Sequence, residues 1–339
     1  MTETPDPAPP PAGPVKIGIW GPPQSGKTTY LAALPFATRG KNSGLGKWGI
    51  YPSSPAASDL LRRFKNDLDI EHRFPQSTPA GTVASLEWVF AGHPAPSRAG
   101  RRRPPRKQPV IRFALDLIDV YGGVYAHDLD KAGVTGEVAS RALDHLAEAQ
   151  GIIYLFDPIG EEENRNSHTY MTSTVPGLML RAAKAGPVEP YLPHQVSVCI
   201  TKFDHPKLFQ QARRAGLVAS SGPEGIPRVR DSDAKQFFEE LCTGAFWKDR
   251  YEEGQMSAMS VREELMTLFR PEHIKYFVTS SIGFWLAPPA AGETVSRFNE
   301  YNFANYREAD GEARIRGAVR PINVLEPLIS LQQRIARQG

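Results

Sequence analysis

The chain has 339 residues, of which 40% are hydrophobic and 23% are charged, so its composition is that of an ordinary globular protein with a sizeable core. A net charge of +3 excludes a strong global attraction to nucleic acid or membranes, so any such attraction must be local. Cys199 and Cys242 lie in predicted core segments without the spacing of a metal site or a disulfide framework. There is neither a signal-peptide pattern nor an apolar run of membrane-spanning length, and we therefore expect a cytoplasmic protein without a transmembrane segment.

The order of predicted elements indicates an α/β fold. The segment 1–14 carries six prolines and is predicted to be a disordered tail. Strands are predicted over 16–20, 84–90, 110–120, 152–156, 196–200 and 274–279. Helices are predicted over 27–34, 137–150, 175–184, 234–242 and 261–269. The alternation predicts three layers, in which helices cover both faces of a mainly parallel six-stranded sheet. Because no helix separates the second and third strands, these two should form an antiparallel hairpin.

The stretch GPPQSGKTTYLAAL, residues 21–34, lies between the first strand and the first helix. Gly21, Gly26, Lys27 and Thr28 fit the phosphate-binding pattern GxxxxGK(S/T) in the strand-to-helix context that this motif requires. Backbone N–H groups would face the phosphates, Lys27 would add a cation, and the Thr28 hydroxyl would bind Mg²⁺. We expect Lys27 to be exposed without a packing role. The predicted phosphate-side contacts are Gly21, Gln24, Ser25, Gly26, Lys27, Thr28 and Thr29.

Two later stretches predict which base is bound. Thr201, Lys202 and Asp204 in ITKFDH directly follow a predicted buried strand. A carboxylate there can accept hydrogen bonds from N1–H and the 2-amino group of guanine, whereas adenine offers no such pair. The aliphatic stem of Lys202 can lie against the base, and a backbone N–H at Ser280 or Ser281 in FVTSSIGF can donate to guanine O6. The alternative is a solvated loop after each strand.

A third stretch, LDLIDVYGG, ends a predicted strand with a DxxG arrangement. Asp119 can hold a water of the Mg²⁺ shell, and the Gly122 N–H can meet the γ-phosphate. Hydrolysis would then release this segment, as in a nucleotide switch.

The motifs GPPQSGKT, DVYG, TKFD and TSS occur in the order found in Ras-like, TRAFAC-class P-loop GTPases, and the chain resembles that family from residue 15 onward. Through GPPQSGKTTYLAAL, GIIYLFDP and RPINVLEPLISL it is more particularly similar to the bacterial double-GTPase-like families of conflict and effector systems. The resemblance implies one GTPase domain over 15–339, with Mg²⁺ as cofactor and GTP or GDP as ligand. Insertions are expected at about 38–80, 93–109 and 205–272.

The resemblance also implies a catalytic centre. Such GTPases close one threonine on Mg²⁺ and the γ-phosphate, and Thr78 is our choice, with Thr82 as the second candidate and a simple turn as the alternative. Lys27, Thr78 and Gly122 would then contact the reacting phosphate.

Two departures from the family pattern bear on hydrolysis. Gly123 stands where Ras-like proteins carry the catalytic glutamine, which implies slow hydrolysis or another group among Gln24, Tyr121 and Tyr125. Pro23 replaces a glycine that leaves room for an arginine finger, which argues against activation by that route.

The segment 93–109 joins the two hairpin strands and carries five arginines and one lysine without an acid. It is either a solvated loop or a flexible basic arm, centred on 98–107, for an acidic protein, nucleic acid or anionic lipid.

These motifs predict a Mg²⁺-dependent GTPase switch with an unidentified protein partner. A hydrolysis-poor GTP-binding scaffold and an ATPase that shares only the phosphate loop remain the alternatives.

Overall fold

The computed structural model of the chain describes residues 15–38, 46–76, 83–93, 111–120, 136–186, 189–243, 252–289, 292, 294–309 and 311–338. The strands are β1 Val15–Trp20, β2 Lys47–Pro52, β3 Val83–His93, β4 Ile111–Val120, β5 Gly151–Phe156, β6 Gln195–Ile200, β7 Val218–Ser221, β8 Ile226–Val229, β9 Ile274–Val278, β10 Tyr306–Ala309 and β11 Glu312–Ile315. The helices are α1 Lys27–Ala37, α2 Pro55–Lys65, α3 Gly136–Glu148, α4 Pro158–Asn164, α5 Ser167–Ala185, α6 Pro206–Arg214, α7 Ala234–Cys242, α8 Glu252–Leu268 and α9 Glu326–Ile335.

A seven-stranded sheet in the order β2-β3-β4-β1-β5-β6-β9 forms the centre of the described chain. The five strands from β4 to β9 run parallel, whereas β3 is antiparallel to both of its neighbours. The α/β class, the mainly parallel sheet and the β3–β4 hairpin are therefore confirmed. The count of six strands was wrong, because Lys47–Pro52 adds a seventh strand at the β3 edge.

Both faces of the sheet are covered, as the strand sequences require. Every residue of β5 and β6 is buried, which explains the continuous apolar run of β5 and the mostly apolar sequence of β6. Along β5, Ile152 and Tyr154 join one hydrophobic cluster, while the alternate residues Ile153 and Leu155 join another. The first cluster includes side chains of α3 and α5 to α8, and the second includes side chains of α1, α2 and α9. This arrangement confirms three layers.

The predicted helices are confirmed in position, although two are longer than predicted. The segments 175–184 and 261–269 are the C-terminal halves of α5 and α8. The region 205–272 contributes α6, the β7–β8 hairpin, α7 and α8 beside β9. Cys199 and Cys242 are buried free thiols. Within the described ranges, no helix combines the length and apolarity needed to cross a membrane.

The tail 1–14 and most of the basic segment, 94–109, lie outside the described residues. The single domain over 15–339 and the role of the basic arm stay predictions.

Candidate nucleotide-binding site

The turn between β1 and α1 places the N-terminus of α1 at the edge where the parallel strands end. Strand β1 ends at Trp20 and α1 begins at Lys27. Gly26 precedes the helix with φ +91°, a conformation that glycine adopts without strain, and it has no side chain to cover the first N–H groups. The predicted phosphate-side contacts all lie in this turn or in the first turn of α1. Such a turn is suited to bind an anion.

Lys27 is buried and folded onto its own loop. Its ammonium donates hydrogen bonds to the carbonyl oxygens of Gly21 at 2.8 Å and Pro22 at 2.7 Å. The side chain is 8% exposed, so the expectation of an exposed lysine without a packing role was wrong. The loop curls so that its carbonyls surround the ammonium, and Lys27 therefore also stabilises the loop.

Thr201 joins the β1–α1 turn to the loop that follows β6. Its hydroxyl lies within hydrogen-bond distance of the Phe156 carbonyl oxygen at 3.2 Å and the Ser25 carbonyl oxygen at 3.4 Å. The Thr201 N–H also donates to Phe156 O at 2.8 Å. The ends of β5 and β6 and the β1–α1 turn are thus held together by one buried residue.

Asp204 is buried next to the loop that follows β9. The Ser280 hydroxyl donates to Asp204 Oδ1 and accepts a hydrogen bond from Gly283 N–H at 2.8 Å. The backbones also bond, from Phe203 N–H to Thr279 O at 3.1 Å. The structure therefore brings together Asp204 and Ser280, which are 76 residues apart in sequence.

The surroundings of Asp204 shift its titration upward. Burial raises the pKa of this carboxyl to about 6, and the charge of Asp157 acts in the same direction. The hydrogen bond from Ser280 and the charge of Lys202 partly oppose that rise. The carboxyl is ionised at neutral pH, but its pKa lies close enough to neutrality to titrate in mild acid.

Lys202 is held by a residue that sequence reasoning did not single out. Its ammonium lies 2.5 Å from Asp157 Oδ2, and its backbone has φ +59°. Asp157 directly follows β5 and caps α4, because its Oδ1 accepts hydrogen bonds from Ile159 N–H at 3.1 Å and Gly160 N–H at 3.0 Å. A carboxylate placed directly after a buried strand was the signal that led to Asp204, and the same signal identifies Asp157.

The remaining predicted site residues are placed less completely. Ser281 follows Ser280 in the same turn. Asp119 is the ninth residue of the ten-residue β4, and the pairing of Gly18 with Ile118 puts it at the same sheet edge as the β1–α1 turn. Several predicted residues lie outside the described ranges: Thr78, Thr82, Tyr121, Gly122, Gly123 and Tyr125. Among the described residues, no group of three or more His, Cys, Asp or Glu side chains is suited to hold a metal ion.

The β10–β11 hairpin is a second feature that the sequence did not reveal. The Tyr306 ring lies parallel to the His205 ring, with their centroids 6.4 Å apart and an interplanar angle of 15°. On the neighbouring strand Ile315, which pairs with Tyr306, donates its N–H to His72 O at 2.8 Å. The hairpin therefore connects the segment after α2 to the residue that follows Asp204.

The sequence matches no protein-family model and no curated protein. Solved structures give weak likenesses. The signal recognition particle receptor SRb-GTP/SRX complex from Chaetomium thermophilum aligns at 15% identity over 83% of this chain and 95% of that one, with a TM-score of 0.35. The GTP-bound Ski7 GTPase-like domain of S. cerevisiae aligns at 13% identity over 84% of this chain, with a TM-score of 0.32, and Sup35 with GDP at 10% over 79%, with 0.30. The chain spans 48% of the Ski7 structure and 37% of the Sup35 structure. Scores this low leave fold and site to be argued from this chain alone.

Proposed function

We propose that this protein binds GTP together with Mg²⁺ and hydrolyses it as a molecular switch. The observation that carries the proposal is the hydrogen-bonded connection from Ser25 through Thr201 to the loop that holds Asp204. The β1–α1 turn and the loop with Asp204 follow β1 and β6, which both run parallel to β5 between them, and this placement supports a phosphate-binding turn and a guanine-reading carboxylate in one site. In open α/β sheets, ligands bind in the crevice outside these strand ends.

The phosphate side supplies positive charge and oxygen ligands. Lys27 and the first N–H groups of α1 would face the β- and γ-phosphates. The Thr28 hydroxyl would be a direct Mg²⁺ ligand, and Asp119, at the same sheet edge, would hold a water of its shell. Hydroxyl, carboxylate and phosphate oxygens are the ligands that Mg²⁺ prefers, so these residue types fit the ion. Thr78 and Gly122 remain the proposed γ-phosphate contacts.

The base side supports guanine rather than adenine. Above its pKa of about 6, Asp204 is an acceptor-only group, which matches the two donors at N1 and the 2-amino group of guanine. Ser280 orients the carboxylate by its hydrogen bond, and the stem of Lys202 can cover one face of the base. An adenine N1 acceptor facing Asp204 would find no donor, which argues against the ATPase alternative.

Hydrolysis is expected to be slow, because Gly123 has no side chain to orient water. The same substitution supports the second candidate, a GTP-binding scaffold with little turnover. Kinship with the bacterial double-GTPase-like families, an unidentified protein partner and a basic arm at 98–107 belong to this proposal, supported by the sequence motifs and composition.

A change of base preference tests the proposal. Asp204→Asn presents an amide N–H₂ to the guanine donors, which should weaken GTP binding by about 1 to 3 kcal/mol. Xanthine carries a carbonyl where guanine has its 2-amino group, so the variant should gain affinity for xanthosine triphosphate. Calorimetry with GTP, xanthosine triphosphate and ATP measures the change of base preference. Single-turnover hydrolysis of GTP distinguishes a switch from a scaffold with little turnover.

Asp231→Asn is the matched control. Asp231 is an exposed aspartate whose pKa is also raised by partial burial, and its Oδ1 accepts a hydrogen bond from Asn323 Nδ2 at 3.3 Å. Asp231 is not among the residues proposed to contact the base. This variant should keep the wild-type preference. Unchanged GTP affinity in Asp204→Asn, or tighter ATP than GTP binding by the wild type, would refute the assignment.

A further inference from the structure

We propose that Asp157 is a positioning residue for the base side of the pocket, holding Lys202 so that its aliphatic stem is in place before a base arrives. The inference rests on the proposed function, because Lys202 needs a base to cover. It adds a residue that contacts the lysine rather than the nucleotide.

The two oxygens of Asp157 have separate tasks. Oδ1 accepts the hydrogen bonds from the first turn of α4, which fixes the carboxylate, while Oδ2 lies 2.5 Å from the Lys202 ammonium. The Asp157 side chain is 3% exposed, and that of Lys202 is 40% exposed. A rigid buried anion therefore holds the end of a long, partly solvated side chain.

Lys202 also has a constrained backbone. Its φ of +59° is left-handed, and its carbonyl oxygen accepts a hydrogen bond from His205 N–H at 2.8 Å in a tight turn. With the backbone fixed by this turn and the ammonium fixed by Asp157, few positions remain for the methylene stem. A preorganised side chain loses less conformational entropy when a ligand binds than a freely rotating one.

A second ion pair offers a matched comparison. Lys207 in α6 and Glu162 in α4 also form an ion pair between these helical segments, and neither residue belongs to the proposed nucleotide pocket. If Asp157 served only to join the α4 and α6 segments, loss of the Glu162 charge should have the same consequence as loss of the Asp157 charge.

Three variants separate the capping task of Asp157 from its charge. Asp157→Asn keeps an oxygen that can cap α4 but loses the attraction for Lys202, Asp157→Ala loses both, and Lys202→Met removes the cation while keeping most of the stem. Binding of a fluorescent GDP analogue to the full chain is the readout, together with thermal unfolding of the nucleotide-free protein.

We expect Asp157→Asn to weaken GDP binding about threefold to tenfold, the lower part of the range of couplings between residues in direct contact. Its unfolding midpoint should stay near that of the wild type, whereas Asp157→Ala should lower it. The double variant Asp157→Asn with Lys202→Met should bind GDP no more weakly than whichever single variant binds it more weakly. Glu162→Gln should bind GDP like the wild type.

Wild-type affinity in Asp157→Asn, or an equal loss in Glu162→Gln, would overturn the positioning role while leaving the proposed function intact. Additive effects of the two substitutions would also overturn it. Failure of the wild type to bind any guanine nucleotide would instead overturn the proposed function, and this inference with it.

Discussion

Asp204 should make nucleotide binding depend on pH. Its pKa is raised to about 6, mainly by burial, so the nucleotide-free protein carries a neutral carboxyl below that pH and a carboxylate above it. Guanine requires the carboxylate. GTP affinity should therefore be constant above about pH 7 and fall as pH drops through 6, approaching tenfold per unit in more acidic solution. Calorimetry between pH 5 and pH 8 measures the change in GTP affinity, since this range brackets the pKa of about 6.

The GTP phosphates also take up protons in this range, so Asp204→Asn with xanthosine triphosphate provides the control. This variant lacks the carboxyl, so its affinity for xanthosine triphosphate should keep only the part of the pH dependence that comes from the phosphates. Parallel pH profiles for the two pairs of protein and nucleotide would contradict the role of Asp204.

The pH dependence of stability has the opposite sign to that of GTP binding, because the folded state binds the Asp204 proton more tightly than the unfolded state. The free energy of unfolding contributed by Asp204 should therefore fall as pH rises through 6.

Lys27 should affect both the ligand and the loop. Lys27→Ala removes the proposed phosphate cation and also the donor for the carbonyls of Gly21 and Pro22. We expect loss of tight GTP binding and a decrease of about 1 to 3 kcal/mol in the free energy of unfolding, the usual cost of leaving buried polar groups unpaired. Calorimetry and urea titration measure the two effects. Full GTP affinity in the variant would argue against a phosphate-binding loop.

The sequence predicted the candidate site residues whose chemistry lies in short motifs. The phosphate-binding pattern located the β1–α1 turn, and the carboxylate after β6 pointed to the edge where Asp204 lies. Sequence could not show that Lys27 turns back onto its own loop, because that depends on the curl of the backbone. The partner of Lys202 was also missed, since Asp157 is 45 residues away and meets the lysine only because β5 pairs with β6.

At the scale of elements, the loop after β9 depends on one glycine. Gly283 has φ +68°, donates its N–H to Ser280 Oγ, and lies so close to another segment that a Cβ would stand 1.9 Å from the Arg320 carbonyl oxygen. Gly283→Ala should therefore destabilise the protein by more than the roughly 1 to 2 kcal/mol of a left-handed alanine alone. It should also weaken GTP binding, because the Ser280 hydroxyl that orients Asp204 would move.

Gly216 provides a closely matched control, since its φ is +72° and nothing lies within 4 Å of an added Cβ. Gly216→Ala should show only the backbone cost and normal GTP affinity. Urea titration of both variants isolates the close contact. Equal destabilisation would show that the contact with Arg320 is relieved at little cost.

Elements with a strong local signal were predicted well, and those stabilised by distant partners were not. Strand β5 is a continuous buried apolar run and β6 a mostly apolar buried one, a pattern typical of central parallel strands. Strand β2, with the sequence KWGIYP, contains glycine and proline at the sheet edge and lacks such a run. Strands β7 and β10 belong to different hairpins and have only four residues each, VASS and YREA. The pairing of β7 with β8 and of β10 with β11 is visible only in three dimensions. Helix α4 is short and rich in glutamate, so its apolar period is too brief to detect.

At the scale of the whole molecule, the C-terminal segment joins distant parts of the chain. The Tyr30 hydroxyl in α1 donates to Val324 O at 2.6 Å, just before α9. Helix α9 packs against β5 and β6. Helix α1 is therefore tied to residues about 300 positions away in sequence. These contacts argue that the described chain unfolds as one unit.

Arg334 in α9 provides the test of that unit. Its guanidinium donates to His273 O at 2.6 Å, Val196 O at 3.1 Å and Ser197 Oγ at 3.0 Å, and burial lowers its pKa to about 10, so it stays charged at neutral pH. Arg334→Met keeps much of the apolar stem but leaves these acceptors unpaired.

We expect Arg334→Met to lower the free energy of unfolding by about 2 to 3 kcal/mol, because several partly buried acceptors lose a charged donor. Exposed Arg337, one turn later, should tolerate the same change to methionine with little effect. Urea unfolding followed by circular dichroism and by tryptophan fluorescence is the measurement, since the tryptophans include Trp20 in one hydrophobic cluster and Trp48 and Trp88 in the other. If the chain is one cooperative unit, both signals shift together to lower urea in Arg334→Met. Separate transitions, or a shift in only one signal, would show that α9 and the sheet belong to units that unfold independently.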